Sequence, residues 1–123
     1  MTIPAEYEAA IAGVCARQGI RPALLAALLE HESKWDPNAI GDGGAARGLG
    51  QMHEAAAAEI GVDWEQLLDP AIAIVASGLY LAKYLRKLGG DERLALMAYN
   101  QGPTVICRAS LYADAVFALA AAS

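Results

Sequence analysis

Hydrophobic residues recur at helical spacing along most of the chain. In residues 4–18 the apolar side chains of Tyr7, Ile11 and Val14 fall on one side, and Gly19 follows them. A spacing of three to four residues is typical of an amphipathic helix, and glycine commonly ends one. The pattern therefore predicts a first helix over residues 4–18.

A second hydrophobic stretch begins at Pro22. Proline is favoured in the first turn of a helix, and the leucines that follow repeat at four-residue spacing. Asp36-Pro37 ends the stretch, because a residue before proline avoids the helical conformation. The apolar face of this second helix is predicted to carry Leu24, Leu25, Leu28 and Leu29.

Four further helices are predicted in the rest of the chain. Their expected bounds are Met52 to Ile60, Asp69-Pro70 to Gly89-Gly90, Asp91 to Asn100, and Pro103 or Thr104 to about residue 120. The longest of them carries an apolar stripe of Ile72, Val75, Leu79, Ala82 and Leu85.

The segment from Asn38 to Gly50 interrupts the helical pattern with a cluster of glycines. Glycine is unfavourable inside a helix and common where the backbone turns sharply. We expect an irregular segment here, either a small β-like lobe or a loop that faces a substrate.

Composition agrees with one helical domain. The chain has 123 residues, of which 56% are hydrophobic and 19% charged, so it can bury a core and is not disordered. Alanine, the best helix former, is its commonest residue. We predict an all-α fold with at most a small β-like lobe, in a single domain over residues 1–123.

The net charge of −5 limits the partners. Proteins that bind nucleic acid or adhere to anionic membranes carry basic surfaces, so neither partner is expected. No apolar run reaches the roughly 18–20 residues of a membrane span, and the N-terminus lacks the basic start of a signal peptide. We expect a monomer without membrane insertion that is exported by another route, freed of its leader, or kept inside.

The cysteines and histidines form no recognisable site. Cys15 and Cys107 are far apart and lack metal-ligand or CxxC spacing. Each suits the role of a small buried hydrophobic side chain, and a disulfide between them is the alternative. The two histidines are also isolated, so no metal and no cofactor is expected.

One acidic residue lies on the apolar face of the second helix. At about 100° per residue, Glu32 falls near the centre of the leucine face, whereas Glu30 points away as a solvated acid and His31 lies on a flank. Desolvation and the negative end of the helix dipole would raise the pKa of Glu32, as a general acid near neutral pH requires. The alternative is a last-turn glutamate that has emerged into water.

Two sequence blocks, the first of which begins at this glutamate, resemble a known family. The first comprises residues 32–39 (ESKWDPNA), 41–44 (GDGG) and 48–52 (GLGQM), and the second residues 98–103 (AYNQGP). Their order and spacing resemble those of the soluble lytic transglycosylases and goose-type lysozymes. The resemblance covers roughly residues 20–117 and implies a lysozyme-like helical domain with a substrate cleft.

The resemblance implies that Glu32 is the catalytic acid of a glycosidase. In lytic transglycosylases one glutamate protonates the leaving oxygen and then acts as base toward the hydroxymethyl group of N-acetylmuramic acid, which yields an anhydromuramyl end. Hydrolysis needs a further group that orients water. Asp42, in a Gly-Asp turn like that of goose-type lysozymes, is the candidate, and a turn-forming aspartate is the alternative.

The same resemblance implies contacts with an amino sugar, whose acetamido and hydroxyl groups amides and phenols can bind. For Tyr99 a core role that holds Glu32 is an alternative, and for Asn100 a helix-capping role. Tyr80 and Tyr112 are interpreted as core residues, and His31 as a surface residue. The implied substrate-binding residues are Ser33, Gln51, His53, Tyr99 and Asn100.

The chain departs from the family pattern at three places. Gly50 replaces the usual methionine, which would widen or loosen the wall beneath the sugar. Gly41-Asp42 stands where many transglycosylases have a serine. His53 stands where goose-type lysozymes can have a second acid, and a surface histidine is its alternative interpretation.

We therefore predict a glycosidase that cleaves peptidoglycan strands between N-acetylmuramic acid and N-acetylglucosamine, foremost a lytic transglycosylase. A goose-type hydrolase or phage endolysin, or a chitin-cleaving relative, is the alternative. A different class is a catalytically silent helical module that binds glycans or a protein partner. The expected place of action is the bacterial cell wall, in the periplasm or outside the cell, for a phage lysis or virion protein or a bacterial enzyme without its leader.

Overall fold

The structure, a computed structural model, describes residues 1–102 and 110–122. Within these ranges the helices are α1 Ala5–Gln18, α2 Pro22–Ser33, α3 Glu54–Glu59, α4 Pro70–Lys87, α5 Glu92–Gln101 and α6 Leu111–Ala121. The strands are β1 Ile40–Gly41 and β2 Ala46–Arg47, and single 3₁₀ turns cover Asp42–Gly44 and Trp64–Gln66. The predicted all-α fold with a small β-like lobe is confirmed.

Capping residues explain the bounds of several helices. Gly19 adopts a φ of 72°, and this left-handed conformation ends α1 with a hydrogen bond from its N–H to the Cys15 carbonyl. Asp69 and Asp91 accept hydrogen bonds from backbone N–H groups in the first turns of α4 and α5. These helices accordingly begin where the sequence predicts.

The last helix begins later than expected. Ser110 has an extended backbone, and its hydroxyl accepts the N–H of Ala113, so α6 starts at Leu111. The predicted starting residues, Pro103 and Thr104, lie outside the described residues.

α2 lies at the centre of the core. The four leucines of its predicted apolar face have no exposed surface, and burial of each stabilises the fold by about 1.5–3 kcal/mol. α6 packs along α2, while α1 packs against both α2 and α4, and α5 packs against α4 and α6. This arrangement buries α2 from Leu24 to Leu29, whereas its final turn is only partly buried.

α4 buries a different face from the predicted stripe. The stripe is only half-buried at Ile72, Val75, Leu79 and Leu85. The most buried positions, at 1% exposure or less, are Ala73, Ile74, Ala76, Ser77, Leu81, Ala82 and Tyr84. Small residues on this face allow a close approach of α1, since a Cβ on Gly78 would lie only 2.6 Å from a methyl carbon of Val14. Helix packing rather than hydrophobic spacing therefore selects the buried face.

The glycine-rich segment forms a small hairpin. β1 and β2 pair antiparallel, with Ile40 opposite Arg47 and Gly41 opposite Ala46. The turn between them carries Asp42 at a φ of 50°, followed by two glycines that also have positive φ. The segment is thus a β-like lobe whose turn presents an acidic side chain.

Two expectations about single residues need comment. Glu30, expected to be solvated, is half-buried, and its Oε2 atom has no hydrogen-bond partner among the described residues. α6 packs along α2 here, and Leu119 of α6 lines a pocket together with Glu30. Cys15 is buried on α1 with a free thiol, and Cys107 lies outside the described residues.

Candidate active site

A cleft of about 450 Å³ opens between the end of α2, the hairpin, α3 and α5. It gathers side chains that are far apart in the sequence. The predicted site residues that line it are Glu32, Asp42, Gln51, His53, Tyr99 and Asn100. Ser33 lies elsewhere.

Glu32 occupies the last complete turn of α2, where the leucine face meets the cleft. Burial raises the pKa of its carboxyl from 4.5 to about 7. The hydrogen bond from Tyr112 lowers this pKa, the negative charge of Asp42 raises it, and the positive charge of His53 lowers it. Glu32 is therefore divided between its acid and carboxylate forms near neutral pH.

Tyr112 is the functional residue that the sequence interpretation missed. Its hydroxyl donates a hydrogen bond of 2.7 Å to Oε2 of Glu32, and the ring of His31 meets the ring of Tyr112 edge-on at 5.0 Å. Burial raises the pKa of Tyr112 well above its usual range, so the phenol stays protonated and remains a donor. Only the packing of α6 on α2 brings the two residues together, and the local sequence carries no signal of it.

Tyr99 has a structural role at the floor of the cleft. Its buried hydroxyl is hydrogen-bonded to the Gly50 carbonyl at 2.8 Å and to Ser77 Oγ at 3.1 Å. Its ring contacts that of Tyr80, a buried α4 residue that also lines the cleft, at a centroid distance of 5.3 Å. These contacts accord with a core position for Tyr99, but they join it to Gly50, Ser77 and Tyr80 rather than to Glu32.

The wall at Gly50 is tight rather than loosened. Gly50 is buried, and a Cβ at this position would collide with Ser77 Oγ and lie 2.5 Å from the Tyr99 hydroxyl. The space that a methionine would occupy is therefore filled by two side chains from α4 and α5. This corrects the expectation that the glycine widens the cleft.

Gln51 fastens the hairpin from within the cleft. Its side-chain nitrogen donates to the carbonyls of Ala39 at 3.0 Å and Gly48 at 2.9 Å. A Cβ at Gly41 would collide with its Oε1 atom, so a side chain at this position would displace the amide. Gln51 thus holds the turn that carries Asp42.

Asp42 and His53 form a pair at the mouth of the cleft. Asp42 Oδ2 lies 2.8 Å from His53 Nε2, and the two side chains are 68% and 52% exposed. His53 is the residue before α3, so the hairpin turn and α3 meet at this contact.

Of the predicted substrate-binding residues, Ser33 is placed differently from expectation, whereas Asn100 lies in the cleft as expected. Ser33 is buried outside the cleft, and its hydroxyl donates to the Leu29 carbonyl at 3.1 Å. One residue further along a helix turns a side chain by about 100°, which carries Ser33 from the cleft into the core. Asn100 lines the cleft with an exposed side chain, and Gly102 rather than Asn100 caps α5.

In the described ranges no helix is both long and apolar enough to cross a membrane. Among the same residues, no group of three or more histidine, cysteine or acidic side chains could hold a metal ion.

Comparison with known proteins identifies the family. Residues 10–116 match the family described as Transglycosylase SLT domain. The chain belongs to the transglycosylase SLT domain family. This membership confirms the resemblance inferred from residues 32–52 and 98–103.

Named relatives of this SLT domain are lytic transglycosylases. Membrane-bound lytic murein transglycosylase F of Serratia proteamaculans is 39% identical over 85 residues, covering 64% of this chain and 17% of that protein. Membrane-bound lytic murein transglycosylase F 1 of Alkalilimnicola ehrlichii is 36% identical over 90 residues, covering 68% of this chain and 18% of that protein. The SLT domain spans less than a fifth of these relatives.

Solved structures show the same fold. The 70 kDa soluble lytic transglycosylase SLT70 of Escherichia coli matches with a TM-score of 0.74 at 23% identity, covering 96% of this chain and 19% of that one. An inactive mutant of lytic transglycosylase Slt from Pseudomonas aeruginosa gives 0.71 at 24% identity, covering 81% and 17%. The expected lysozyme-like helical domain is confirmed by these matches.

Proposed function

We propose that residues 1–123 form one catalytic domain, a lytic transglycosylase that cleaves peptidoglycan with Glu32 as its acid and base. The observation that carries the proposal is the Glu32 carboxyl, which faces the cleft with a pKa raised by burial to about 7. A group that protonates a leaving oxygen and later accepts a proton works best when its pKa lies near the ambient pH. The names of the relatives support the substrate and the reaction.

The proposed reaction has two steps. In the first, protonated Glu32 donates its proton to the glycosidic oxygen, the bond from that oxygen to C1 of N-acetylmuramic acid breaks, and positive charge develops at C1. In the second, the hydroxymethyl oxygen of the same sugar attacks C1 and its proton passes to the Glu32 carboxylate. The new end is an anhydromuramyl group, Glu32 is protonated again, and no water is consumed.

The surrounding residues support this role. The hydrogen bond from Tyr112 occupies Oε2 of Glu32, which leaves Oε1 for the glycosidic oxygen. Exposed amides at the end of α5, Asn100 and Gln101, line the cleft and can bind acetamido groups. We propose that the domain acts on strands of the bacterial cell wall, in the periplasm or outside the cell.

Mass spectrometry of digested peptidoglycan tests the proposal. We expect anhydromuramyl ends from the protein and a loss of roughly 10²–10⁴-fold in the Glu32→Gln variant, because the transferable proton is gone. Glu30→Gln is the matched control, since Glu30 lies two residues away on the same helix and outside the cleft.

Other outcomes would replace the proposal. Reducing ends in place of anhydromuramyl ends would identify a hydrolase. If the protein releases neither product from peptidoglycan or chitin, and if Glu32→Gln leaves its biological activity unchanged, the domain is a catalytically silent binding module.

A further inference from the structure

Within the described residues, a single side-chain contact directs the Asp42 carboxylate. Asp42 lies in a turn between two strands of only two residues, and Gly43 and Gly44 follow it with φ of 65° and 102°. Its carboxylate is 68% exposed, and within the described residues His53 is its side-chain hydrogen-bond partner. The direction of this carboxylate therefore depends on the histidine.

His53, by contrast, is anchored on both sides. The preceding residue, Met52, is buried and exchanges two backbone hydrogen bonds of 3.2 Å with Arg47. The carbonyl of His53 accepts the N–H of Ala57, a fully buried residue of α3, at 3.1 Å. The imidazole thus extends from a fixed point toward the exposed Asp42 side chain.

The charged and titratable groups that face Glu32 come from separate elements. Asp42 belongs to the hairpin turn, His53 precedes α3, Tyr99 belongs to α5 and Tyr112 to α6. Asp42 and His53 act on the Glu32 carboxyl in opposite directions. Because these two side chains are in contact, a displacement of one would leave the effect of the other on the pKa of Glu32 uncompensated.

We propose that His53 is a positioning residue that holds the Asp42 carboxylate in the cleft, so that the pair controls the charge that faces Glu32. The inference rests on the proposed function, and it assigns this role to a histidine where the related lysozymes can have an acid.

Two measurements on the same variants test the inference. Carbon-13 NMR titration of the Glu32 side-chain carboxyl gives its titration midpoint, the pH at which half of the group is ionised. This measurement requires no substrate. The pH profile of anhydromuramyl formation gives the same midpoint in the working enzyme. The variants are Asp42→Asn, His53→Gln, His53→Ala and the double variant with Asp42→Asn and His53→Ala.

The expected shifts follow from charge. Asp42→Asn should lower the Glu32 midpoint by about half a pH unit, a modest shift because both partners are exposed to solvent. His53→Gln should raise it by a smaller amount, since glutamine can still donate to Asp42 but lacks the charge through which His53 lowers the pKa of Glu32. Glu54→Gln, which removes a charge next to His53 but outside the cleft, should leave the midpoint unchanged.

The double variant isolates the positioning role. With alanine at 53 the Asp42 carboxylate is released into solvent, so the further change Asp42→Asn should shift the midpoint by less than about 0.2 of a pH unit. A merely structural role of His53 would not produce this coupling. Both residues are exposed, so the core is retained, and backbone NMR spectra of each variant check it.

Each outcome bears on one proposal. If Asp42→Asn lowers the midpoint equally with histidine or alanine at 53, His53 does not position Asp42 and the inference is overturned. An unchanged midpoint in Asp42→Asn overturns it as well. A protein that forms no anhydromuramyl ends but shows the expected NMR coupling refutes the proposed reaction and leaves the positioning role supported.

Discussion

The Glu32 carboxyl lies between an apolar helix face and the phenol of Tyr112, and burial and the Tyr112 hydrogen bond have opposite effects on its pKa. Burial disfavours the ionised form more than the hydrogen bond from Tyr112 favours it. The folded protein consequently holds the Glu32 proton more tightly than the unfolded chain does. This difference couples the proposed catalytic group to the stability of the fold.

The free energy of unfolding should therefore depend on the charge at position 32. Because burial raises the pKa of Glu32 from 4.5 to about 7, the folded state retains a proton in this pH window that the unfolded chain has lost. Stability falls as pH rises through the window. We expect Glu32→Gln to match the original protein at pH 4 and to be about 2 kcal/mol more stable at pH 8, after allowance for solvent screening.

Urea unfolding of both proteins at the two pH values measures this effect. The same stability difference at pH 4 and at pH 8 would show that ionisation of Glu32 has no energetic cost in the fold.

Removal of the Tyr112 hydroxyl should change the pH dependence of activity. Tyr112→Phe deletes the hydrogen bond that lowers the pKa of Glu32, so the alkaline limb of the kcat/KM profile should move to higher pH. We also expect kcat to fall about tenfold, because the carboxyl loses its orienting partner. Tyr84→Phe is the matched control, since the Tyr84 hydroxyl bonds to Glu59 at 3.0 Å outside the cleft. Identical profiles for Tyr112→Phe and the original protein would contradict this account of the hydrogen bond.

Single residues were predictable where one helix decides their position. Glu32 continues the leucine face at the C-terminal end of α2, as the periodicity of this helix indicates. Tyr112 could not be found in this way, because 80 residues separate it from Glu32 and the contact depends on the packing of two helices. The environment of Glu30 was missed for the same reason, since α6 covers part of it.

At the scale of elements, α6 matters because it places the Tyr112 hydroxyl beside the Glu32 carboxyl. The helix is fixed at its start by the Ser110 cap, at 3.1 Å from the Ala113 N–H, and by an ion pair of 2.8 Å between Arg93 and Asp114. Tyr112 lies in the first turn, so its position depends on where the helix begins.

A change of the Ser110 cap should therefore alter the pKa of the Glu32 carboxyl. Ser110→Ala should cost about 1 kcal/mol of stability and should also move the alkaline limb of activity upward, because the bond from Tyr112 to Glu32 is loosened. Asp69→Ala is the matched control, since Asp69 caps α4 in the same manner. It should cost a similar free energy without a shift of the pH profile. Thermal unfolding and pH–rate profiles separate the two effects, and a shift in both variants would mean that general destabilisation is responsible.

The elements themselves were largely predictable from local signals. Prolines, glycines and capping aspartates determine where α1, α2, α4 and α5 begin or end. The buried face of α4 was not predictable, because this helix packs against several others and its small residues permit close contact. The hairpin was expected only as one of two possibilities, since short strands depend on pairing that local sequence does not specify.

At the scale of the whole molecule, the negative net charge of the protein opposes its association with the proposed substrate, peptidoglycan. The net charge is −5, and peptidoglycan strands carry carboxylates of the same sign. Like charges slow association at low ionic strength, and salt screens this repulsion. We expect kcat/KM on peptidoglycan to rise about two- to threefold between 10 and 200 mM salt at neutral pH.

Initial rates across a salt series measure this rise. Strands stripped of their peptides carry fewer carboxylates and serve as the control, with a smaller expected increase. A clear preference for low salt at neutral pH would contradict long-range repulsion.

The contact at Gly50 also has an evolutionary consequence. Gly50, Ser77 and Tyr99 belong to three different elements and meet at one point, with no room for a side chain on the first. A side chain at position 50, such as the methionine of the family pattern, would require Ser77 and Tyr99 to move. We therefore expect the effects of substitutions at the three positions to depend on one another, so that relatives with methionine here differ at position 77 or in the placement of the tyrosine.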